Sequence, residues 1–133
     1  MTGLSLDKTS KNVPNGRFRW EFNYRTLRGD EGLSVRLLGP VGNESKELAR
    51  FDCFRNSPHY HTAVYDHNTI RSIEDDDPVS WFLDCVKEGF EELISNSGGD
   101  APTSEEVSQH AASIVSIESI SKELVAEATE GST

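Results

Sequence analysis

A chain of 133 residues with 35% hydrophobic residues and a formal net charge of −10 has room for one domain and a tail, and domains of that size bury roughly two thirds of their unfolded surface. No apolar run approaches the ~20 residues of a membrane-spanning helix, and the opening MTGLSLDKTSKN lacks the apolar core of a signal peptide, so the expected location is the cytoplasm. Cys53 and Cys85 form no CxxC pair, which excludes a zinc ribbon or finger. In a reducing compartment they are expected as small buried apolar residues rather than a disulfide.

Residues 1–16 are polar and end in the turn signal Pro14-Asn15-Gly16, and they are expected as a flexible leader. Residues 17–25 (RFRWEFNYR) alternate polar and aromatic without a break. A period of two over that length predicts a strand with one face buried and one wet. Further strands are predicted at 33–37, 47–54 and 59–66, separated by short Gly, Asn and Pro turns that favour an antiparallel meander.

The period then changes. Asp75-Asp76-Asp77-Pro78 combines a capping carboxylate, a proline at the first helical position and acidic charge at the positive dipole end. Val79, Phe82, Leu83, Val86, Phe90, Leu93 and Ile94 follow on one helical face. A helix over 75–96 is therefore expected to lay that stripe on Phe18, Trp20, Phe22 and Tyr24. Residues 98–102 read as a linker, and Thr103 with Glu106 fits a capping box. Val107, Ile114, Ile117 and Leu124 recur near heptad spacing in an acidic amphipathic helix over 103–129, with His110 and Ser121 as polar interruptions and a tail over 130–133. The resulting expectation is an α+β fold: a four-stranded antiparallel meander with helix 75–96 on one face and a loosely attached C-terminal helix. That last helix is free to dock beside the first, to pair with a second copy, or to bind another protein.

The charge is uneven. Residues 1–71 hold 11 Lys and Arg against 8 Asp and Glu, whereas 72–133 hold 2 against 15, so an anionic partner has to meet the N-terminal half. On the wet side of the predicted sheet fall Arg17, Arg19, Glu21, Asn23, Arg25, Ser34, Arg36, Arg50, Asp52, His59, His61, Tyr65 and His67. Three readings of this face stay open. Arginine matches phosphate geometry and histidine moves protons near neutrality, which suits metal-independent RNA cleavage without a cofactor. His59 and His61 would be the acid/base pair, Arg50 the phosphate clamp and Tyr65 a base-stacking or orienting group. Arg17, Arg19, Arg25, Arg36, Asp52 and His67 would complete the binding surface. In the second reading His59-x-His61 places two imidazoles on one side of a strand, and Asp52, Asp66 or His67 could complete a metal site. In the third, the face is an ordinary solvated sheet surface with cross-strand charge pairs. A non-enzymatic interaction domain working through the C-terminal helix is the alternative function.

Arg50-Phe51-Asp52 followed by Pro58-His59-Tyr60-His61 resembles the TumE-type toxin family of prokaryotic toxin–antitoxin pairs. The resemblance spans about residues 17–94 in order of elements. It implies a small cytoplasmic protein whose sheet carries the functional surface, acting on RNA or translation and held by an antitoxin partner. The stretch Cys53 to Ser57 is longer than the family's link, Asp66-His67 stands where the family has a fuller histidine cluster, and the acidic region 100–130 lies outside the pattern.

Overall fold

Alternating aromatic and polar side chains make the second strand the spine of a six-stranded antiparallel sheet, seen in a computed structural model that describes residues 11–131. The strands are β1 (Lys11–Asn15), β2 (Phe18–Leu27), β3 (Asp30–Val41), β4 (Glu44–Phe54), β5 (His59–Thr62) and β6 (Thr69–Ser72), and they run as a meander in that spatial order. Three helices follow: α1 (Pro78–Glu88), α2 (Phe90–Asn96) and α3 (Ser104–Gly131). The α+β class and the antiparallel meander are as expected; the strand number is six, not four.

Both additional strands have local causes. Residues 11–15 of the expected leader pair with β2, with Val13 opposite Trp20, because Val13 can bury its side chain under α3 while the strand edge gains backbone partners. Residues 1–10 of that leader lie outside the described residues. The expected strand 59–66 stops at Thr62, where Ala63 takes φ +50° and Asn68 φ +47°. Ala63 O accepts hydrogen bonds from both Asp66 N (3.0 Å) and Asn68 N (2.8 Å). The chain reverses in that loop and returns as β6.

Phe18, Trp20, Phe22, Leu33, Val35, Leu37, Ala49 and Phe51 bury one face of the sheet. Between β3 and β4 the register slips: Leu37 pairs with Ala49 and Leu38 with Glu47. Leu48 is therefore the extra residue of a bulge, and it too is buried. Two consecutive inward residues shift the phase, so that Glu47 emerges on the same side as Arg50.

The helix expected over 75–96 is two helices. Asp77 caps α1 by accepting from Ser80 N at 3.1 Å, with Pro78 in the first turn. The chain then breaks at Gly89 before α2 begins. The apolar stripe survives the break: Phe82, Leu83, Val86, Phe90 and Ile94 are all buried.

The C-terminal helix is not loosely attached. Glu106, His110, Ser113, Ile117, Ser121 and Leu124 form one buried stripe along α3, which lies over β1, β2 and β3 while α1 and α2 cover β4. The two serines are satisfied within the helix. Ser113 Oγ donates to Gln109 O and Ser121 Oγ to Ile117 O, the back-bonding habit of helical serines. His110 lies flat on Phe90, with ring centroids 3.8 Å apart, and its Nε2 donates to Val86 O at 2.8 Å. Burial of a large aliphatic side chain contributes roughly 1.5–3 kcal/mol, so Ile117 and Leu124 tie α3 into the common core. The connection 98–102 is anchored as well: Asp100 N donates to Pro40 O, and Gly42 N donates to Asp100 Oδ2. All helices thus lie on one side of the sheet, leaving the other side open. No helix among the described residues is long and apolar enough to cross a membrane.

Candidate functional site

Strand register assembles the open face. Ser34 of β3, Asp52 of β4 and His59 of β5 are successive cross-strand partners, and the neighbouring row is Glu21, Arg36, Arg50 and His61. Partners in register project to the same side, so a buried carboxylate comes to stand between two imidazoles.

Asp52 is only 3% exposed. Its Oδ1 accepts a hydrogen bond from Ser34 Oγ at 2.7 Å, and the Arg25 guanidinium lies 3.9 Å away. Its Oδ2 faces His59 Nε2 at 3.2 Å and His61 Nε2 at 3.4 Å. The two rings stand edge to face with centroids 5.0 Å apart. The remote nitrogens settle the tautomers. His59 Nδ1 sits 2.8 Å from Ser57 O, and His61 Nδ1 sits 2.9 Å from Asn68 Oδ1. Both oxygens can only accept, so both Nδ1 atoms donate. In the neutral rings each Nε2 then carries a lone pair aimed at a carboxylate oxygen that is itself an acceptor. Three electron-rich atoms converge with no hydrogen between them, and such a cluster calls for a cation.

The cation can be protons on the imidazoles or a metal ion. Donor atoms about 2.1 Å from a metal and roughly 90–110° apart lie about 3.0–3.4 Å from one another. The observed 3.2 and 3.4 Å fall in that range, and the three ligand atoms of Asp52, His59 and His61 all lie within 4.8 Å of one another. The outer contacts fit as well, since metal-binding histidines hand their other N–H to a carbonyl or carboxylate and ligating carboxylates are themselves hydrogen-bonded.

Among the arginines, the expectation of a free cationic surface is corrected. Arg50 grips Glu47 through Nε at 2.8 Å and Nη2 at 3.0 Å. Arg36 lies 3.1 Å from Glu21 and 3.2 Å from Glu47, and Arg19 Nη2 donates to Glu21 at 2.6 Å. Arg19, Glu21, Arg36, Glu47 and Arg50 thus form a ladder of alternating sign, made possible by the bulge that turns Glu47 outward. Arg25 alone of this group faces no glutamate; its ion-pair partner is Asp52.

Three other expected site residues are elsewhere. Arg17 is bound to Glu106 of α3, with Nη2 to Oε1 at 2.7 Å. Tyr65 sits in the 63–68 loop and donates its hydroxyl to Gly98 O at 3.2 Å, away from the histidines. His67 is exposed in the same loop, 3.3 Å from Asp66, and borders a groove on the helix-covered side. All three follow from the chain leaving strand conformation earlier, or joining it later, than alternation implies. Of the candidates to complete a His-x-His site, only Asp52 reaches the imidazoles. The sequence reading overlooked Asn68, although an Asn in a loop after a histidine pair is a residue type that tolerates the positive φ a tight reversal needs. Both thiols are poor ligands and nucleophiles here, because burial pushes Cys53 up to about 12 and Cys85 up to about 11.

Neither a curated protein nor a solved structure matches the chain. Residues 12–123, from β1 almost to the end of α3, match the model of a domain of unknown function, DUF7700, and the chain belongs to that family.

Proposed function

We propose that Asp52, His59 and His61 hold a single divalent transition-metal ion, and that the domain uses it on a phosphate ester, with RNA as the substrate class. The convergence of both Nε2 atoms on Asp52 Oδ2, with both Nδ1 atoms tied back to acceptors, carries this reading. Two imidazoles and one carboxylate leave coordination positions for water and substrate. When bound there, the ion would supply a water ionised near neutrality to attack a phosphate ester, the proton that water gives up going to the departing oxygen. This reading replaces metal-independent acid–base catalysis, because the nitrogens that would exchange protons with substrate are turned toward Asp52. Arg25, whose guanidinium lies 3.9 Å from Asp52 and faces no glutamate, supplies the positive charge beside the site that favours a phosphate.

The test is isothermal titration of chelator-stripped protein with Zn²⁺ and Co²⁺, followed by RNA cleavage assays with and without EDTA. One ion per chain is expected, abolished by His59→Ala with His61→Ala, and cleavage is expected to follow the metal. Binding no tighter than in the double variant would refute the centre. Tight binding without metal-dependent cleavage would refute the substrate.

A further inference from the structure

The opposite side of the β5–β6 edge holds a second feature that the metal centre does not use. Where α1 breaks at Gly89, the helical layer stops short of the sheet edge and leaves a groove of about 490 Å³. A volume of that order is in the range of small-molecule sites. Its floor is aromatic. Phe51 stacks on Tyr60 at 5.8 Å between centroids with planes 10° apart, and Tyr60 meets Trp81 at 5.0 Å. Tyr60 and Trp81 are half-buried, so part of each ring remains open to the groove.

The polar lining is ordered along the groove by topology. Arg71 is the cross-strand partner of Tyr60 and stands beside it on the same face. It makes no ion pair or hydrogen bond among the described residues, in contrast to the glutamate-bound arginines across the sheet. Asn96 and Glu92 approach from α2, and Thr62 and Thr69 from the β5–β6 hairpin. These groups match different parts of one ligand. A flat base stacks on tyrosine and tryptophan, and an amide such as that of Asn96 reads the edge of a base with paired donor and acceptor. A carboxylate accepts from ribose hydroxyls, as acidic residues do in nucleotide-binding folds, and a guanidinium left without a carboxylate takes a phosphate. A purely apolar ligand would leave Arg71, Glu92 and Asn96 unmatched.

We propose that this groove binds a mononucleotide, with its base on the Tyr60–Trp81 wall, its ribose toward Glu92 and its phosphate on Arg71. The unit can be a free nucleotide or one unstacked nucleotide of an RNA strand; the recognising chemistry is the same. The site is independent of the metal centre, because Tyr60 points to the opposite side of β5 from His59 and His61.

The experiment titrates the full chain, in EDTA, with 5′-AMP, adenosine, inorganic phosphate and a short oligoadenylate while following tryptophan fluorescence. Trp20 is fully buried, so Trp81 is the reporter. Saturable binding of 5′-AMP is expected, at least about tenfold tighter than adenosine or phosphate alone, a difference of about 1.4 kcal/mol. Arg71→Ala should weaken 5′-AMP about tenfold while leaving adenosine unchanged. Asn96→Ala, on a different element, should weaken both nucleotide and nucleoside. His59→Ala should leave 5′-AMP binding intact, which separates this site from the metal centre. Oligoadenylate binding at least as tightly and competing with 5′-AMP would identify RNA as the source; weaker binding would identify the free nucleotide. No saturable 5′-AMP binding, indifference to Arg71→Ala, or loss in His59→Ala would each overturn the proposal.

Discussion

Replacing Glu106 by Gln tests how α3 is locked to the sheet. Both carboxylate oxygens are saturated: Oε1 accepts from Arg17 Nη2 at 2.7 Å and Thr103 N at 2.9 Å, and Oε2 accepts from Arg17 N at 2.8 Å and Nε at 3.1 Å. Thr103 Oγ1 accepts in return from Glu106 N, closing the capping box, while Asn15 Nδ2 donates to the Glu106 carbonyl. The Arg17 hydrogen bonds dominate and, against the opposing effect of burial, bring the carboxyl down to about 2 from an ordinary 4.5. Glutamine keeps the shape but turns an N–H₂ toward donors. A hydrogen bond to a charged group contributes about 1.5–3 kcal/mol, and this one is diluted because the Arg17 side chain is 44% exposed. The expected loss is about 2 kcal/mol at pH 7 by urea unfolding. Its pH dependence follows from the lowered pKa: the contribution is complete above about 4.5 and fades as pH falls toward 2. The gap between wild type and Glu106→Gln should therefore close on acidification. A loss below about 0.5 kcal/mol at pH 7, where surface substitutions commonly fall, or a gap that persists at pH 2.5, would refute the lock.

Leu124→Ala removes a buried contact between α3 and the sheet and should cost about 2–5 kcal/mol; a change under about 1 kcal/mol in denaturant would show that α3 is dispensable to the core. His110 has a lowered pKa because burial opposes its charge, only partly offset by its bond to Val86 O. Its contribution is present above about 6.5 and is lost as pH falls toward the lowered value, so the stability of wild type should decline on mild acidification more than that of His110→Leu; parallel pH profiles would contradict this. If Asp52, His59 and His61 bind metal only in the folded chain, Zn²⁺ at 100 times its dissociation constant should stabilise by about 2.7 kcal/mol. Calorimetry showing the same gain in His59→Ala would place the ion elsewhere.

Local chemistry was legible where a single residue or period decides the outcome. Alternation over 17–25 announced β2 and its buried face, Asp77-Pro78 announced the start of α1, and Thr103 with Glu106 announced the cap of α3. That His59 and His61 share a side with Asp52 was legible for the same reason, since i and i+2 residues of a strand share a side; that Asp52 rather than Asp66 or His67 meets them was decided by the β4–β5 register. Asn68 was not legible as a partner of His61, since it reaches back across a reversal whose position alternation does not reveal.

What the amino-acid order determined by itself is the set of faces: which residues of β2, β3 and α1 seek the interior, and which wait outside it. Tertiary structure decided who meets whom on those faces. The bulge at Leu48 turns Glu47 outward and neutralises Arg36 and Arg50, the reversal at Ala63 carries Tyr65 and His67 away from the histidine pair, and Glu106 draws Arg17 to the helices. Each is a long-range choice between partners of similar local appeal, settled by burying Leu48, Ile117 and Leu124 together in one core.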